Sequence, residues 1–160
     1  MDKWYVLSVL TDKELEVSNR LNKMCVKNLV PVQEKLLRKN GEWKKEKVVI
    51  FKGYVFIKVN YSWGLYYSVT KQIKSVINIL GGGKEPIALS NEEIKRIEIL
   101  NKFQDVSKVT FKNGKFKVIS GVLKEFDNSI ITVKRRQKRA KLGVEIGSKI
   151  IFINASFEEV

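Results

Sequence analysis

The sequence predicts an α+β fold in two segments, an N-terminal α/β sandwich over residues 1–104 and a small all-β barrel over residues 105–160. Two observations predict this division. Before residue 104, strand-like runs alternate with stretches of helical periodicity, which is typical of a sheet with helices packed on it. From Lys108 onward only short β-prone runs remain, and glycine or asparagine turns separate them, as in a small barrel. We expect a short hinge near residues 103–108.

The first half of the N-terminal segment predicts two strands, a helix and a hairpin. Residues 4–10 are apolar and β-prone. Thr11 and Asp12 offer helix N-caps, and apolar residues then recur at helical spacing until about residue 28. Asn40 and Gly41 readily take positive φ, so residues 32–50 predict a hairpin with charged arms. The last strand covers residues 51–59, which are the most β-prone of the chain.

The remaining elements follow from the same patterns. Residues 62–71 predict a short helix, and residues 76–80 predict a buried strand that the glycines at 81–83 end. Ser90 and Glu93 form a capping box, which predicts a helix that runs to about Gln104. The barrel strands are expected at residues 116–119, 130–133, 142–146 and 150–153.

Net charge is the strongest global signal of function. The chain has 31 Lys and Arg against 17 Asp and Glu, a formal charge of +14. Such a surplus favours polyanionic partners, of which nucleic acid is the commonest. The alternatives are a soluble basic surface, or a protein that associates with ribosomes or membranes.

Absences in the sequence argue against an enzyme, a cofactor and a metal. There is no histidine, and the single Cys25 is expected to be a small core residue. The glycines at 81–83 and Lys84 resemble a phosphate loop, but Glu85 stands where Ser or Thr would hold magnesium. Glu92 and Glu93 favour a helix start rather than catalysis. No apolar run reaches 18 residues, so we expect a cytoplasmic protein without a membrane span.

The sharpest local feature is a run of eight residues, 134–141, of which six are cationic. We call these residues the basic run. A charged turn between two barrel strands would cluster the cations, and the release of counterions from nucleic acid would then favour binding. The alternative is a solvated turn. The cations are Lys134, Arg135, Arg136, Lys138, Arg139 and Lys141.

Aromatic residues are numerous in the N-terminal segment. For any one of them, packing in the core is the simpler reading, but together they exceed the needs of so small a core. We therefore expect some of them to line a shallow apolar groove for a partner protein. They are Trp4, Phe51, Tyr54, Trp63, Tyr66 and Tyr67.

The order of several motifs resembles the NusG family of transcription factors. Trp4-Tyr-Val, Val30-Pro31-Val32 and Phe51-Lys-Gly53-Tyr54-Val resemble the W-Y-V, V-P and F-P-G-Y-V motifs of the NusG N-terminal (NGN) domain. Residues 75–93 resemble that domain's strand, glycine loop and P-x-x-L-S-x-x-E helix entry. Residues 119–130 resemble a KOW module. Residues 134–146, which contain the basic run, together with residues 65–67 look most like the LoaP branch, whose members are antiterminators.

The resemblance implies a protein without catalytic residues that docks on RNA polymerase and reads RNA. It implies polymerase binding through Trp4, Phe51 and Tyr54, and binding of an RNA hairpin in the nascent transcript through the KOW domain. There the basic run would contact the RNA, with Lys124 as a neighbour on the first loop. Non-template DNA is a further candidate partner, and nothing requires more than a monomer.

Three readings remain open within this resemblance. The chain is either such an RNA-binding specialist, a general NusG-type elongation factor whose KOW domain contacts proteins, or a ribosome-associated KOW protein. Gly147 directly follows Ile146, where general NusG proteins have a phenylalanine that contacts Rho or a ribosomal protein. This difference favours the RNA-binding specialist.

Overall fold

The computed structural model describes residues 1–81, 86–147 and 149–160. These residues form two compact units, Met1–Pro31 with Phe51–Ile94, and Val32–Ile50 with Lys95–Val160. The mixed α+β fold is confirmed. The units divide the chain differently from the predicted segments 1–104 and 105–160, because residues 32–50 pack with the C-terminal strands. The division at residue 104 therefore stays a prediction.

The first unit contains a four-stranded antiparallel sheet with the order β2-β5-β1-β6. The strands are β1 (Lys3–Val9), β2 (Lys27–Leu29), β5 (Tyr54–Val59) and β6 (Val76–Ile79). The strands predicted at residues 4–10 and 51–59 thus occupy the centre of the sheet. β5 begins three residues later than predicted, because a turn at residues 51–53 places Gly53 at a φ of +85°.

Two helices cover one face of this sheet, α1 (Glu14–Lys23) and α2 (Trp63–Gln72). Alternate residues of β1 and β5 point to that face, as the two-residue period of a strand requires. Val17 and Leu21 of α1 are fully buried there, and so is Val69 of α2. The core of the unit consists of Tyr5, Leu7, Val9, Val17, Leu21, Val55, Ile57, Val59, Val69, Ile73, Val76 and Ile79.

Local capping explains where the helix after Ser90 begins. In α3 (Asn91–Lys102), the Ser90 hydroxyl accepts a hydrogen bond from the Glu93 amide at 3.2 Å, and the Ser90 amide donates to the Glu93 carboxylate at 3.0 Å. The predicted capping box is thus confirmed. The predicted cap of α1 is wrong, because Thr11 and Asp12 form a turn and no side chain caps this helix. The predicted loop after Gly81 lies outside the described residues.

The second unit contains a five-stranded, barrel-like sheet with the order β8-β7-β11-β10-β9. Its strands are β7 (Ser107–Lys112), β8 (Lys115–Ser120), β9 (Ile130–Lys134), β10 (Arg139–Ile146) and β11 (Lys149–Glu159). Neighbouring strands are antiparallel except β7 and β11, which are parallel. A short helix, α4 (Val122–Glu125), follows β8. The sequence did not predict β7, and β11 extends beyond the predicted residues 150–153.

A three-ring cluster packs on one side of this sheet. The ring centroids of Phe111, Phe116 and Phe157 lie 5.2 to 5.9 Å apart in tilted pairs, which is the spacing that aromatic pairs prefer. Phe157 is fully buried, and Leu123 and Leu142 are as well. The C-terminal strands therefore have a core of their own.

A hairpin also belongs to the second unit. It consists of β3 (Val32–Lys39) and β4 (Glu42–Val49), joined by Asn40 and Gly41 at φ values of +53° and +80°. This is the predicted turn. The hairpin packs on β11, where the Leu36 amide donates to the Ser156 hydroxyl at 3.0 Å.

Candidate nucleic-acid interface

The basic run lies at one end of the β9–β10 hairpin. Lys134 ends β9 and pairs with Arg139, the first residue of β10. Only residues 135–138 form the turn, and Lys138 closes it with a φ of +54° and a hydrogen bond from its amide to the Arg135 carbonyl at 3.1 Å. The expectation of one continuous charged turn is thus too broad, although the pairing of β9 with β10 places Lys134 opposite Arg139.

Arg135 is the most constrained cation of the run. Its Nε and Nη2 donate to the two carboxylate oxygens of Glu159 at 2.7 and 3.0 Å, and its guanidinium lies 4.4 Å from the centroid of the Phe111 ring. The hydrogen bond from Arg135 lowers the pKa of Glu159, and the same bond raises the pKa of Arg135. A phosphate would have to compete with Glu159 for this guanidinium.

Two further cations lie over aromatic rings. The ammonium of Lys138 is 5.2 Å from the ring centroid of Trp43 on β4, and that of Lys141 is 4.4 Å from the ring centroid of Phe152 on β11. Cation–π contacts of this kind hold a flexible lysine near a fixed position while its ammonium still reaches solvent. Arg139 is half-buried on β10.

Lys134 and Arg136 are the exposed cations that make no side-chain hydrogen bond or ion pair with any described residue. Like charges held close together repel one another unless an anion neutralises them. These two side chains are therefore the most available phosphate ligands of the run. Lys124 is also exposed, but it lies on α4, and no hydrogen bond joins it to the run among the residues described.

The predicted aromatic site lies partly on the surface and partly in the interior. Trp4 and Tyr54 are half-buried on β1 and β5, where alternation places them on the face that α1 and α2 do not cover. The ammonium of Lys27 lies 6.0 Å from the Trp4 ring centroid. Phe51 is only 2% exposed and packs edge-on against Phe56 at 5.3 Å. The prediction that Phe51 lines a groove is corrected accordingly, because a buried ring cannot touch a partner.

Helix α2 exposes aromatic surface at its first turns. Trp63 is 72% exposed and stacks on Tyr66 at 5.4 Å, and Tyr67 is exposed as well. The Ser62 hydroxyl accepts a hydrogen bond from the Leu65 amide and so fixes the start of this helix. Trp63, Tyr66 and Tyr67 belong to the predicted aromatic set, and Trp63 and Tyr67 are its exposed members on α2.

The barrel-like sheet also carries a surface patch that the sequence did not predict. Ile131, Ile150 and Phe152 are each more than half exposed and surround Gly143. Residues 150–153 are all apolar, so their pattern does not show which face of the strand is buried. The neighbouring lysine, Lys141, was the available signal for a functional surface.

Other expectations concern groups outside the interface. Cys25 is exposed at a φ of +59°, so its predicted place in the core is wrong. Across residues 1–81, 86–147 and 149–160, no cluster of His, Cys, Asp or Glu could hold a metal ion. Nor is any helix in that part of the chain long and apolar enough to span a membrane.

Comparisons with known proteins point to one family. Residues 2–98 match the family described as transcription termination factor NusG. The transcription termination/antitermination protein NusG of Chlamydia trachomatis is 30% identical over 148 residues, covering 78% of this chain and 79% of that protein. The same-named protein of Buchnera aphidicola is 25% identical and covers 99% of this chain and 94% of its own.

One solved structure supports the fold. It is described as domain interaction in Thermotoga maritima NusG, and its chain is 19% identical to this one. The match covers 98% of this chain and 94% of that chain with a TM-score of 0.61. The similarity therefore extends over the N-terminal sheet and the C-terminal barrel-like sheet.

Proposed function

The chain belongs to the NusG family of transcription termination and antitermination proteins, and on this premise we propose that it is a LoaP-type antitermination and elongation factor. In this proposal the N-terminal segment binds RNA polymerase, and the basic run of the KOW-like segment binds a hairpin in the nascent transcript. The factor itself makes and breaks no covalent bond.

One observation carries the RNA part of the proposal. Six cations lie in the turn of the β9–β10 hairpin or on the adjoining strand residues, and Lys134 and Arg136 have no anionic partner among the described residues. Binding of phosphates relieves the mutual repulsion of these cations and releases counterions from the RNA. Arginine adds bidentate contacts that lysine cannot make.

The polymerase part is supported by two half-buried aromatic rings on the face of the N-terminal sheet that α1 and α2 do not cover. Trp4 and Tyr54 lie on rigid, paired strands, so little conformational entropy is lost when a partner covers their rings. Both belong to motifs that resemble the NusG N-terminal domain. Phe51 packs against Phe56, which alternation along β5 places on the same face as Tyr54.

Transcription in vitro through a terminator tests the function as a whole. We expect the protein to increase read-through when an RNA hairpin is encoded upstream, and to have a much smaller effect on a template without it. Equal read-through on both templates would show a general elongation factor and would contradict the RNA-dependent mechanism.

RNA binding is tested separately by replacing Arg135, Arg136 and Arg139 together with Ala. We expect this variant to lose RNA binding. Any binding that remains should depend less on salt, with a log–log slope shallower by about 0.7–0.9 for each phosphate contact removed. A control that removes the same charge replaces Lys23, Lys74 and Lys95, which are exposed and distant from the run in sequence. If both variants lose affinity equally, overall charge rather than the run determines binding.

Polymerase binding is tested at Tyr54. Tyr54→Ala removes a half-buried aromatic ring from this face of the sheet and is expected to weaken polymerase binding by about 2 kcal/mol. Tyr54→Phe keeps the ring and is the matched control, so it should bind polymerase nearly as the wild type does. RNA binding by Tyr54→Ala should be unchanged, which separates the two surfaces.

A further inference from the structure

An apolar patch lies beside the basic run on the outer surface of the barrel-like sheet. We define the Phe152 patch as Ile131, Ile150 and Phe152, whose exposed fractions are 53%, 64% and 56%. A β-carbon built on Gly143 would lie 3.2 Å from Ile131 Cδ1, 3.3 Å from Ile150 Cγ2 and 3.9 Å from Phe152 Cε1. The three side chains thus converge over Gly143, which has no side chain of its own to separate them.

The patch and the basic run share one face of β10. Because strand residues alternate between faces, Arg139, Lys141 and Gly143 point to the same side, with about 7 Å between successive members. The register pairs Gly143 with Phe152, and Lys141 lies over the Phe152 ring at 4.4 Å. On this face of β10, the cationic side chain of Lys141 therefore lies directly beside the aromatic ring of Phe152.

We propose that the Phe152 patch binds unpaired bases of the RNA whose phosphates the basic run holds. The proposal rests on the proposed function and specifies its ligand, which is a stem with flipped or looped-out nucleotides rather than a uniform duplex. A nucleotide carries a flat ring next to an anion, and the patch offers an aromatic ring next to Lys141. Proteins that bind single-stranded nucleic acid combine these two features.

Charge around the patch favours this occupant over a protein or a second copy of the chain. Lys141 and Arg139 flank the patch on the side of the basic run, while Glu145, opposite Ile150, lies at the far end. A polyanion that is bound to the basic run therefore reaches the patch from the side of Lys141 and ends near Phe152, before Glu145. A second copy would bring its own cations against these, which costs free energy.

The experiment compares two RNA probes with the full chain. One probe is a stem–loop with a fluorescent adenine analogue in the loop, and the other is a blunt duplex with the same stem sequence. Phe152→Leu keeps apolar area but removes the aromatic ring, so we expect its affinity for the stem–loop to fall about five- to hundred-fold. Its affinity for the duplex should stay unchanged, and the stacking-dependent change in fluorescence should disappear.

Two further variants make the result specific. Phe152→Trp keeps an aromatic ring and should restore binding to the stem–loop. Ile119→Ala removes an exposed apolar side chain from β8, the opposite edge strand, and should bind both probes as the wild type does. Phe152 is exposed, so these changes should not unfold the sheet, and circular dichroism checks this.

The outcomes separate the proposal from the function beneath it. If Phe152→Leu binds the stem–loop as tightly as the wild type, the patch does not hold bases, yet RNA binding by the basic run stands. If the wild type binds neither probe, the proposed RNA function fails first. If the wild type sediments as a dimer and Phe152→Leu as a monomer, the patch is a contact between copies and the proposal is overturned.

Discussion

Gly121 lies between β8 and α4 in a conformation that other residues rarely adopt, with φ of +95° and ψ of −169°. A β-carbon there would be 2.6 Å from the hydroxyl oxygen of Ser107 and 2.7 Å from its α-carbon. Ser107 is fully buried on β7, which is paired on both sides by β8 and β11. Because Ser107 has no room to move, we expect Gly121→Ala to destabilise the barrel-like sheet.

Two costs determine the size of this effect. Strained backbone at a non-glycine residue costs about 1–3 kcal/mol. Displacement of the Ser107 hydroxyl also breaks the hydrogen bond that it accepts from the Leu123 amide at 3.1 Å. A buried amide without a partner costs about 1–3 kcal/mol. The free energy of unfolding should therefore fall by about 2–6 kcal/mol, a large part of the roughly 5–15 kcal/mol of a small protein.

Urea unfolding followed by circular dichroism measures this loss, and Gly114→Ala is the matched control. Gly114 also has a positive φ, of +73°, but a β-carbon there meets no atom within 4 Å. Gly114→Ala thus carries a cost for positive φ without the clash. If Gly121→Ala is no less stable than Gly114→Ala, the steric argument is refuted. RNA binding should be lost in parallel with the unfolding of the sheet.

Two carboxylates give the remaining predictions. Glu159→Gln should free Arg135 for a phosphate and make the salt dependence of RNA binding steeper by about 0.7–0.9 in log–log slope; an unchanged slope in a binding titration would show that Arg135 stays with the protein. The hydrogen bond from Arg135 lowers the pKa of Glu159 in the folded protein. The stability that this pair contributes is therefore fully present above the ordinary carboxyl pKa and is lost as the pH falls through the lowered pKa. Measurement of Tm during acid titration should show this loss in the wild type and not in Glu159→Gln. Glu14 is buried and accepts hydrogen bonds from the amides of Gly53 at 2.9 Å and Asp12 at 3.3 Å. Glu14→Ala should therefore lower the free energy of unfolding, measured by thermal unfolding, by about 1–3 kcal/mol. Glu14→Gln keeps an acceptor and should lower it less.

Elements that depend on short-range chemistry were predictable from the sequence. Asn40-Gly41 specifies a tight turn, and Ser90 with Glu93 specifies a helix start, because each acts within four residues of chain. The strands β2 and β7 were not predicted, since lysine and polar residues interrupt their patterns. They are strands because neighbouring strands supply their hydrogen-bond partners.

The candidate site shows the same limit. The sequence identified the cations of the basic run, but it could not show that Arg135 is held by Glu159, which is 24 residues away. Nor could it show that Phe51 is buried while Phe152 is exposed, since both lie in apolar runs. Which face of such a run turns inward depends on the strands beside it.

The sequence by itself determined the mixed α+β fold, the absence of histidine, the position of the basic run and the resemblance to NusG proteins. These are properties of composition and of neighbouring residues. Tertiary structure alone decided which cations have anionic partners and which aromatic rings reach solvent. It also joined the hairpin of residues 32–50 to the C-terminal unit and placed Phe152 beside Lys141. Such pairings depend on strand register, which long-range hydrogen bonds and packing fix only when the chain folds.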